Sequence, residues 1–140
     1  MKKIISLFAL FFIFNSCSTD NGESFLFELV PVTSVDIPSE FTLGDTYQIT
    51  MHYNRPTSCH VFNGIYYDKK IDAETSKNIR TIAIENAVAQ NNNCQTLTNN
   101  EVDYSFNFQV TSSNPYIFKF WQGKDADGNN IFLEIEVPVN

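Results

Sequence analysis

Three segments of the chain alternate between apolar and polar residues with a period of two. In the first, Tyr47, Ile49, Met51 and Tyr53 occupy every second position, and polar residues separate them. Successive side chains of a β-strand point to opposite faces, so this pattern predicts strands with one buried face. The aromatic and β-branched residues on the apolar faces favour the same assignment. The three segments are residues 46–53, 103–110 and 131–139.

Five further apolar runs are shorter and less regular, and we expect them to be strands as well. They are residues 24–30, 32–37, 59–67, 79–85 and 116–121. The stretch 76–90 is ambiguous, because its Ile and Ala residues also have helical spacing. The run from Arg80 to Ile84 suits a strand better. We therefore expect a strand here, preceded by a turn of helix near residues 72–77.

Gly, Pro, Asn and Asp residues cluster between the apolar runs, where strands are expected to end and turn. Residues 125–130 lie between the last two runs and predict a hairpin connection. No internal repeat or low-complexity linker interrupts the pattern. Many short strands separated by such turns predict an all-β fold, namely an antiparallel immunoglobulin-like β-sandwich of about seven strands.

Length and charge narrow the choice of partners. The chain has 140 residues and a net charge of −7. If residues 1–16 are removed as an export signal, all 16 acidic residues remain against seven basic ones, and the net charge becomes −9. The remaining 124 residues fit one domain with a core of its own. Such an acidic domain argues against nucleic acid or an anionic membrane surface as a partner.

The amino terminus has the pattern of a secretory signal. Lys2 and Lys3 precede an apolar run at residues 4–14 that only Ser6 interrupts. A helix of that length would rise about 16 Å, roughly half of the hydrocarbon thickness of a bilayer. The run is therefore too short to span a membrane but has the length of a signal-peptide core.

The sequence Phe14-Asn15-Ser16-Cys17 resembles the lipobox of bacterial lipoproteins, in which a small residue precedes a lipid-bearing cysteine. Phe14 and Asn15 depart from the commonest form of the box. The resemblance implies cleavage after Ser16, a diacylglycerol on the Cys17 sulfur and an acylated new amino terminus. Two or more such chains would hold the protein stably on a membrane.

A loose box followed by serine and acidic residues, as at residues 18–23, is similar to lipoproteins of the Bacteroidota. In that group, an acidic stretch after the cysteine is associated with delivery to the outer face of the outer membrane. The resemblance ends at residue 23. We expect a signal peptide at 1–16, a lipidated tether at 17–23 and one β-sandwich domain at 24–140.

Cys59 and Cys94 remain as an even pair once Cys17 is assigned to lipid. Disulfides form outside the inner membrane, so we expect these two cysteines to be bridged. A catalytic cysteine would need a base, but His60 follows Cys59 directly and neighbours on a strand point to opposite faces. The two cysteines and two histidines also lack the paired spacing of a structural zinc site.

The segment 116–139 resembles the closing hairpin of immunoglobulin-like or fibronectin-III-like modules on bacterial surfaces. The resemblance is one of pattern and covers about 25 residues. The core Trp of immunoglobulin domains lies between the paired cysteines, whereas Trp121 follows Cys94. A different sandwich topology therefore stays open.

Two sets of residues are weak candidates for a metal site. Asp125, Asp127 and Asn129 alternate as in a calcium loop, but the Gly required at the sixth position is absent. We expect a solvated hairpin turn instead. His52 and His60 have no carboxylate placed beside them by the sequence, and we expect both to face solvent.

Catalytic signatures are absent from the sequence. There is no nucleophile elbow, zinc-protease helix motif, phosphate loop or dinucleotide fingerprint. Carboxylate pairs such as Asp68 with Asp72 and Glu134 with Glu136 fall on expected loops or outward strand faces. General acid–base chemistry needs buried carboxylates at a fixed separation, so we expect no enzyme and no cofactor.

A candidate binding surface follows from the strand pattern near Trp121. Ile117, Lys119 and Trp121 share the face opposite the row of residues 116, 118 and 120. If that row is core, the Trp121 row lies on an outer face, where Phe132 and Tyr66 or Tyr67 could join it. Exposed Trp and Tyr residues stack on sugars or anchor protein partners. The alternative is that residues 25–30 cover them.

We therefore expect an outer-membrane lipoprotein, anchored by its lipid at the cell surface, with a noncatalytic role in binding or adhesion. Its partner would be a glycan or a protein, and not nucleic acid. The alternative is a structural accessory subunit of an envelope complex that faces the periplasm. Exposure of the Trp121 row would favour binding, and its burial would favour a scaffold.

Overall fold

The computed structural model describes residues 24–90 and 93–140, and all regular structure in these residues is β-strand. No helix in this part of the chain is long and apolar enough to cross a membrane. The strands are β1 (Phe25–Val30), β2 (Val32–Asp36), β3 (Thr46–Asn54), β4 (His60–Ile71), β5 (Asn78–Ala89), β6 (Glu101–Gln109), β7 (Tyr116–Lys124) and β8 (Asn130–Val137).

The strands form two sheets. The three-stranded sheet has the order β2-β3-β6, and all its pairs are antiparallel. In the five-stranded sheet, β5 pairs with β4 along one edge and shares its other edge between two strands. The first half of β5 pairs in parallel with β7, its second half pairs antiparallel with β1, and β8 follows β7.

The core lies between the two sheets and is built from the predicted apolar rows. Phe118 and Phe120 of β7 and Ile82 and Ile84 of β5 are completely buried. Phe41, in the loop before β3, places its ring centroid within 6.1 Å of four other aromatic rings. Dispersion contacts between such rings, together with the apolar area removed from water, hold the sheets together.

The two sides of the sandwich differ. On one side, Phe41 bridges to Val139, and the amide of Phe41 donates a hydrogen bond to the carbonyl of Pro138 at 2.9 Å. This backbone contact closes the gap between the sheets. On the other side, the edge strands β4 and β6 meet only through side chains, including the stacked rings of Phe62 and Tyr104 at 4.3 Å. That side is the open side of the sandwich.

Pro31 lies where the chain passes from one sheet to the other. The residues on each side of it, Val30 and Val32, are both buried, one in β1 and one in β2. The hydrogen-bond ladders of the two sheets are interrupted here, and an N–H at this position would lack a partner. Proline has no N–H and therefore suits the break. A single apolar run therefore contributes a strand to each sheet.

The disulfide between Cys59 and Cys94 is present, with the two Cα atoms 5.3 Å apart. Cys59 is buried just before β4, and Cys94 lies in the exposed loop between β5 and β6. The bridge therefore ties a strand start to a loop at one end of the sandwich, and it does not join two core strands as in immunoglobulin domains.

The fold class predicted from the sequence is confirmed as an all-β sandwich with one disulfide, with eight strands rather than about seven. The sandwich is not wholly antiparallel as predicted, because β5 and β7 pair in parallel. The ambiguous stretch is strand β5, as expected. Residues 72–77 form a single turn, closed by a hydrogen bond from the amide of Ser76 to the carbonyl of Asp72, four residues earlier as in one turn of helix. The turn does not continue into a helix, because Asn78 already belongs to β5. β4 extends to Ile71, beyond the predicted end, because its whole length pairs with β5.

Candidate functional site

The outer face of the five-stranded sheet carries a group of exposed apolar residues. The register places Phe25, Phe27 and Leu29 of β1 on the side of β5 that points away from the core, since their neighbour Val30 points inward. The exposed fraction of Phe27 is 63% and that of Tyr66 is 53%. We call this surface the outer aromatic face. It consists of Phe25, Phe27, Leu29, Val61, Tyr66, Trp121 and Phe132.

A groove of about 230 Å³ lies in the outer aromatic face. Trp121 of β7 and Phe132 of β8 are direct cross-strand partners and form one wall. Leu29 and Tyr66 contribute from β1 and β4, and the small side chain of Ala83 lies between them on β5. None of the residues that line the groove is charged. A ligand would therefore be held by stacking and desolvation rather than by ion pairs.

The indole ring of Trp121 is held in a defined orientation. Its Nε1–H donates a hydrogen bond of 3.0 Å to the side-chain oxygen of Asn130. This bond satisfies the polar edge of the half-buried indole, which lines the groove. A pre-oriented ring loses less conformational entropy when it contacts a ligand.

Charged residues lie beside the groove rather than in it. Lys119 pairs with Glu134 at 2.7 Å across β7 and β8, and Lys77 pairs with Glu136 at 2.8 Å. The carboxylates that the sequence offered as a Glu134–Glu136 pair are thus each bonded to a lysine. Ile117 is half-buried further along β7 and does not line the groove.

Tyr116, Phe118 and Phe120 are buried, so the row of Ile117, Lys119 and Trp121 lies on the outer face of the sheet, where its residues are half-buried rather than fully exposed. The structure brings Trp121 and Phe132 together, and of the two tyrosines it selects Tyr66 for the groove. The amino-terminal strand does not cover this surface. It lies in the same sheet and extends the surface through Leu29, which no local signal in the sequence could assign to the groove.

His52 is the centre of a second cluster, on the outer face of the three-stranded sheet. Its Nδ1 lies 2.7 Å from Asp103 Oδ1 on β6, and its Nε2 lies 3.1 Å from Asp36 Oδ2 on β2. Hydrogen bonds to these two carboxylates raise the pKa of His52 above its usual value. Glu101 completes a group whose ligand atoms lie within 4.8 Å of those of His52 and Asp103 and could hold a cation. Both ring nitrogens of His52 already contact a carboxylate, and a protonated imidazole donates a hydrogen bond to each. The ring therefore needs no cation to satisfy it.

The expectation that His60 faces solvent is wrong. Its exposed fraction is 5%, and it lies on the inner side of β4. Its Nδ1 lies 2.8 Å from the hydroxyl of Thr57, and its Nε2 lies 3.3 Å from a carboxylate oxygen of Glu28. Pairing of β4 with β5 decides this burial, because it places His60 opposite the core residue Val88. The two histidines belong to different sheets and do not form a common site.

The predicted hairpin turn is formed by residues between β7 and β8. The carboxylate of Asp125 accepts hydrogen bonds from the backbone amides of Asp127 and Asn129. Bonds from Asn129 lower the pKa of Asp125. The predicted lipidation site, Cys17, lies outside the described residues.

We find no protein-family model, no curated protein and no solved structure that matches this chain.

Proposed function

We propose that this protein is a lipid-anchored lipoprotein of the cell surface whose β-sandwich binds a partner through the outer aromatic face, without catalysis. The observation that carries this proposal is the groove between Trp121, Phe132, Tyr66 and Leu29. Its walls come from four strands of one sheet, so the rigid ladder of hydrogen bonds holds them in place. The anchor rests on the lipobox resemblance at Cys17.

Exposed apolar area supports a binding role. Phe25, Phe27, Val61 and Tyr66 each expose 46% or more of their surface on the same side of one sheet. Contiguous apolar patches are costly to leave in water, and larger ones mark interaction sites. The groove, with aromatic side chains around a small depression, would receive one sugar ring or one apolar side chain of a partner.

The binding role is tested with variants of the groove. Trp121→Ala and Tyr66→Ala remove stacking surface from two walls, while the core rows stay unchanged. In glycan arrays and in crosslinking on intact cells, we expect each variant to weaken capture at least about tenfold, as for a hot-spot residue. Leu43→Ala is the matched control, because Leu43 is 52% exposed but lies in the loop before β3. Equal capture by all three variants would contradict the proposal.

The alternative role, an accessory subunit of an envelope complex, is favoured by one observation. Leu26 and Phe27 lie on opposite faces of β1, and their exposed fractions are 54% and 63%. A strand that is apolar and exposed on both faces suits burial against a protein more than contact with a sugar. Recovery of one stoichiometric envelope protein whose capture is lost in Leu26→Ala, with no glycan bound, would favour this role.

Localisation is tested separately from binding. We expect the intact mass of the mature chain to include acyl chains that Cys17→Ala lacks, and we expect added protease to remove the domain from intact cells. Lipid without protease cleavage would place the domain in the periplasm and favour the accessory role. A mature chain without lipid would contradict the anchor.

A further inference from the structure

A buried arginine on the open side of the sandwich has no carboxylate partner among residues 24–90 and 93–140. Arg80 lies on the inner side of β5 with an exposed fraction of 9%. Its Nη1 donates to the carbonyl of Ile79 at 2.8 Å, and the guanidinium carbon lies 5.1 Å from the ring centroid of Tyr116. These contacts offset part of the desolvation cost, but neither supplies a negative charge.

A second cation lies directly beside it. Lys69 of β4 is the cross-strand partner of Arg80, so both side chains belong to the same face of the sheet. No ion pair involves Lys69 or Lys124 in the described part of the chain, whereas Lys70, Lys77 and Lys119 each pair with a carboxylate. Like charges directly opposite each other destabilise a sheet, so the pairing of Lys69 with Arg80 is unfavourable by itself.

The two cations line a cleft of about 250 Å³ between the open edges of the sheets. Tyr67, Asn107, Gln109 and Thr111 also line it, beside the rings of Phe106 and Phe108. A second depression of about 250 Å³ is also lined by Lys69 and Arg80, together with Asn78. No carboxylate lines either space. Burial raises the pKa of Tyr67, and the charge of Arg80 and its hydrogen bond to the Tyr67 side chain partly oppose that rise.

We propose that this cleft binds a small anion, a carboxylate or phosphate group, through Arg80 and Lys69. A guanidinium offers parallel N–H donors that match the oxygens of either group, and the lysine adds a second positive charge. The cleft is smaller than a typical cofactor pocket and suits an acid the size of one sugar or one amino-acid side chain. It lies between the sheets, whereas the outer aromatic face lies outside them. The anion site therefore goes beyond the proposed function and does not depend on it.

Titration calorimetry of the full chain, purified in a non-ionic detergent, tests the anion site. The probes are inorganic phosphate and glucuronate, with glucose as the uncharged match for glucuronate. At low ionic strength we expect at least one anionic probe to bind saturably with a Kd of about 1 mM or below. We expect no binding of glucose. Whichever anion binds more tightly identifies the class of ligand.

Lys69→Gln removes one charge from the exposed end of the cleft, and we expect it to weaken binding about tenfold. Lys124→Gln is the matched control, because Lys124 is the exposed last residue of β7 and lies remote from the cleft. This variant should bind the anion as the parent does. Arg80→Gln should abolish binding, and its melting transition shows whether the fold is retained. Failure of both anions to saturate, or equal binding by the two lysine variants, would overturn the proposal.

Discussion

His52 and Asp103 lie opposite each other on β3 and β6, with Nδ1 and Oδ1 2.7 Å apart. Asp36 of β2 approaches the other ring nitrogen at 3.1 Å, so the imidazole links all three strands of its sheet. Two carboxylate acceptors require two N–H donors, and only the protonated ring provides both. The cluster therefore favours the charged form of the histidine.

Stability should depend on pH through this cluster. The raised pKa of His52 means that its contribution is fully present below the usual histidine value of 6.5 and is lost as the pH rises through the folded-state pKa. We expect Asp103→Asn to lower the free energy of unfolding by about 0.5–1 kcal/mol at acid pH, and by less above neutrality. Urea denaturation at both pH values checks this. Asp127→Asn, which removes the same charge in the exposed hairpin, should show no such difference.

The Asp72 turn should respond to pH in the opposite sense. Its carboxylate accepts bonds from the amide and hydroxyl of Thr75 and from the amide of Glu74, and the Thr75 bonds lower its pKa below the usual value of 3.8. A lowered pKa contributes stability above the unfolded-state value, which is lost as the pH falls through the folded-state pKa. We expect Asp72→Ala to lower the urea midpoint of unfolding at pH 7. In strong acid, its midpoint should equal that of the parent. Glu74→Ala is the control, and an equal shift by both variants would contradict this role.

The disulfide should contribute mainly by restricting the unfolded chain. Cys59 and Cys94 are 35 positions apart, and closing a loop of that size contributes about 3.5–4 kcal/mol on the chain-entropy model. We expect the double variant Cys59→Ala/Cys94→Ala to lose about that free energy of unfolding in denaturant titrations. Reductant should destabilise the parent to a similar extent and leave the double variant unchanged. If reductant also destabilised the double variant, the loss of stability would come from something other than this disulfide.

The aromatic cluster around Phe41 should dominate the packing between the sheets. Phe41 is completely buried and contacts the rings of Tyr47, Phe108, Tyr116 and Phe118. Replacement of a buried aromatic residue by alanine costs about 3–5 kcal/mol, and we expect that loss for Phe41→Ala. The milder Phe41→Leu keeps the measurement accessible if the alanine variant does not fold. Leu43→Ala, two residues away and exposed, should stay within about 0.5 kcal/mol of the parent.

Local patterns were sufficient for the strands but not for their neighbours. The period of two located β3, β6 and β8, because burial on one face leaves a direct trace in the sequence. It could not show that β5 pairs with β4 along its whole length, which is why the predicted ends of both strands were too short. Nor could it show that residues 72–77 only turn the chain between these two strands.

The candidate sites also combine features that local alternation predicts with features that depend on long-range strand pairing. The outward direction of Trp121 followed from its alternation with Phe118 and Phe120, and its pairing with Phe132 required only a hairpin. Leu29 and Tyr66 reach the same groove from strands distant in sequence. The burial of His60 and Arg80 likewise depends on the register of β4 on β5.

The sequence by itself determined the all-β class, the apolar rows that form the core and the even pair of cysteines, since each depends on local alternation or on a count. Only the tertiary structure decided which rows meet: the four walls of the groove, the carboxylates around His52 and the cations of the open cleft. Side-chain direction repeats every two residues along a strand, whereas the pairing of strands depends on packing between segments far apart in the chain. The chemistry of a site arises from that pairing.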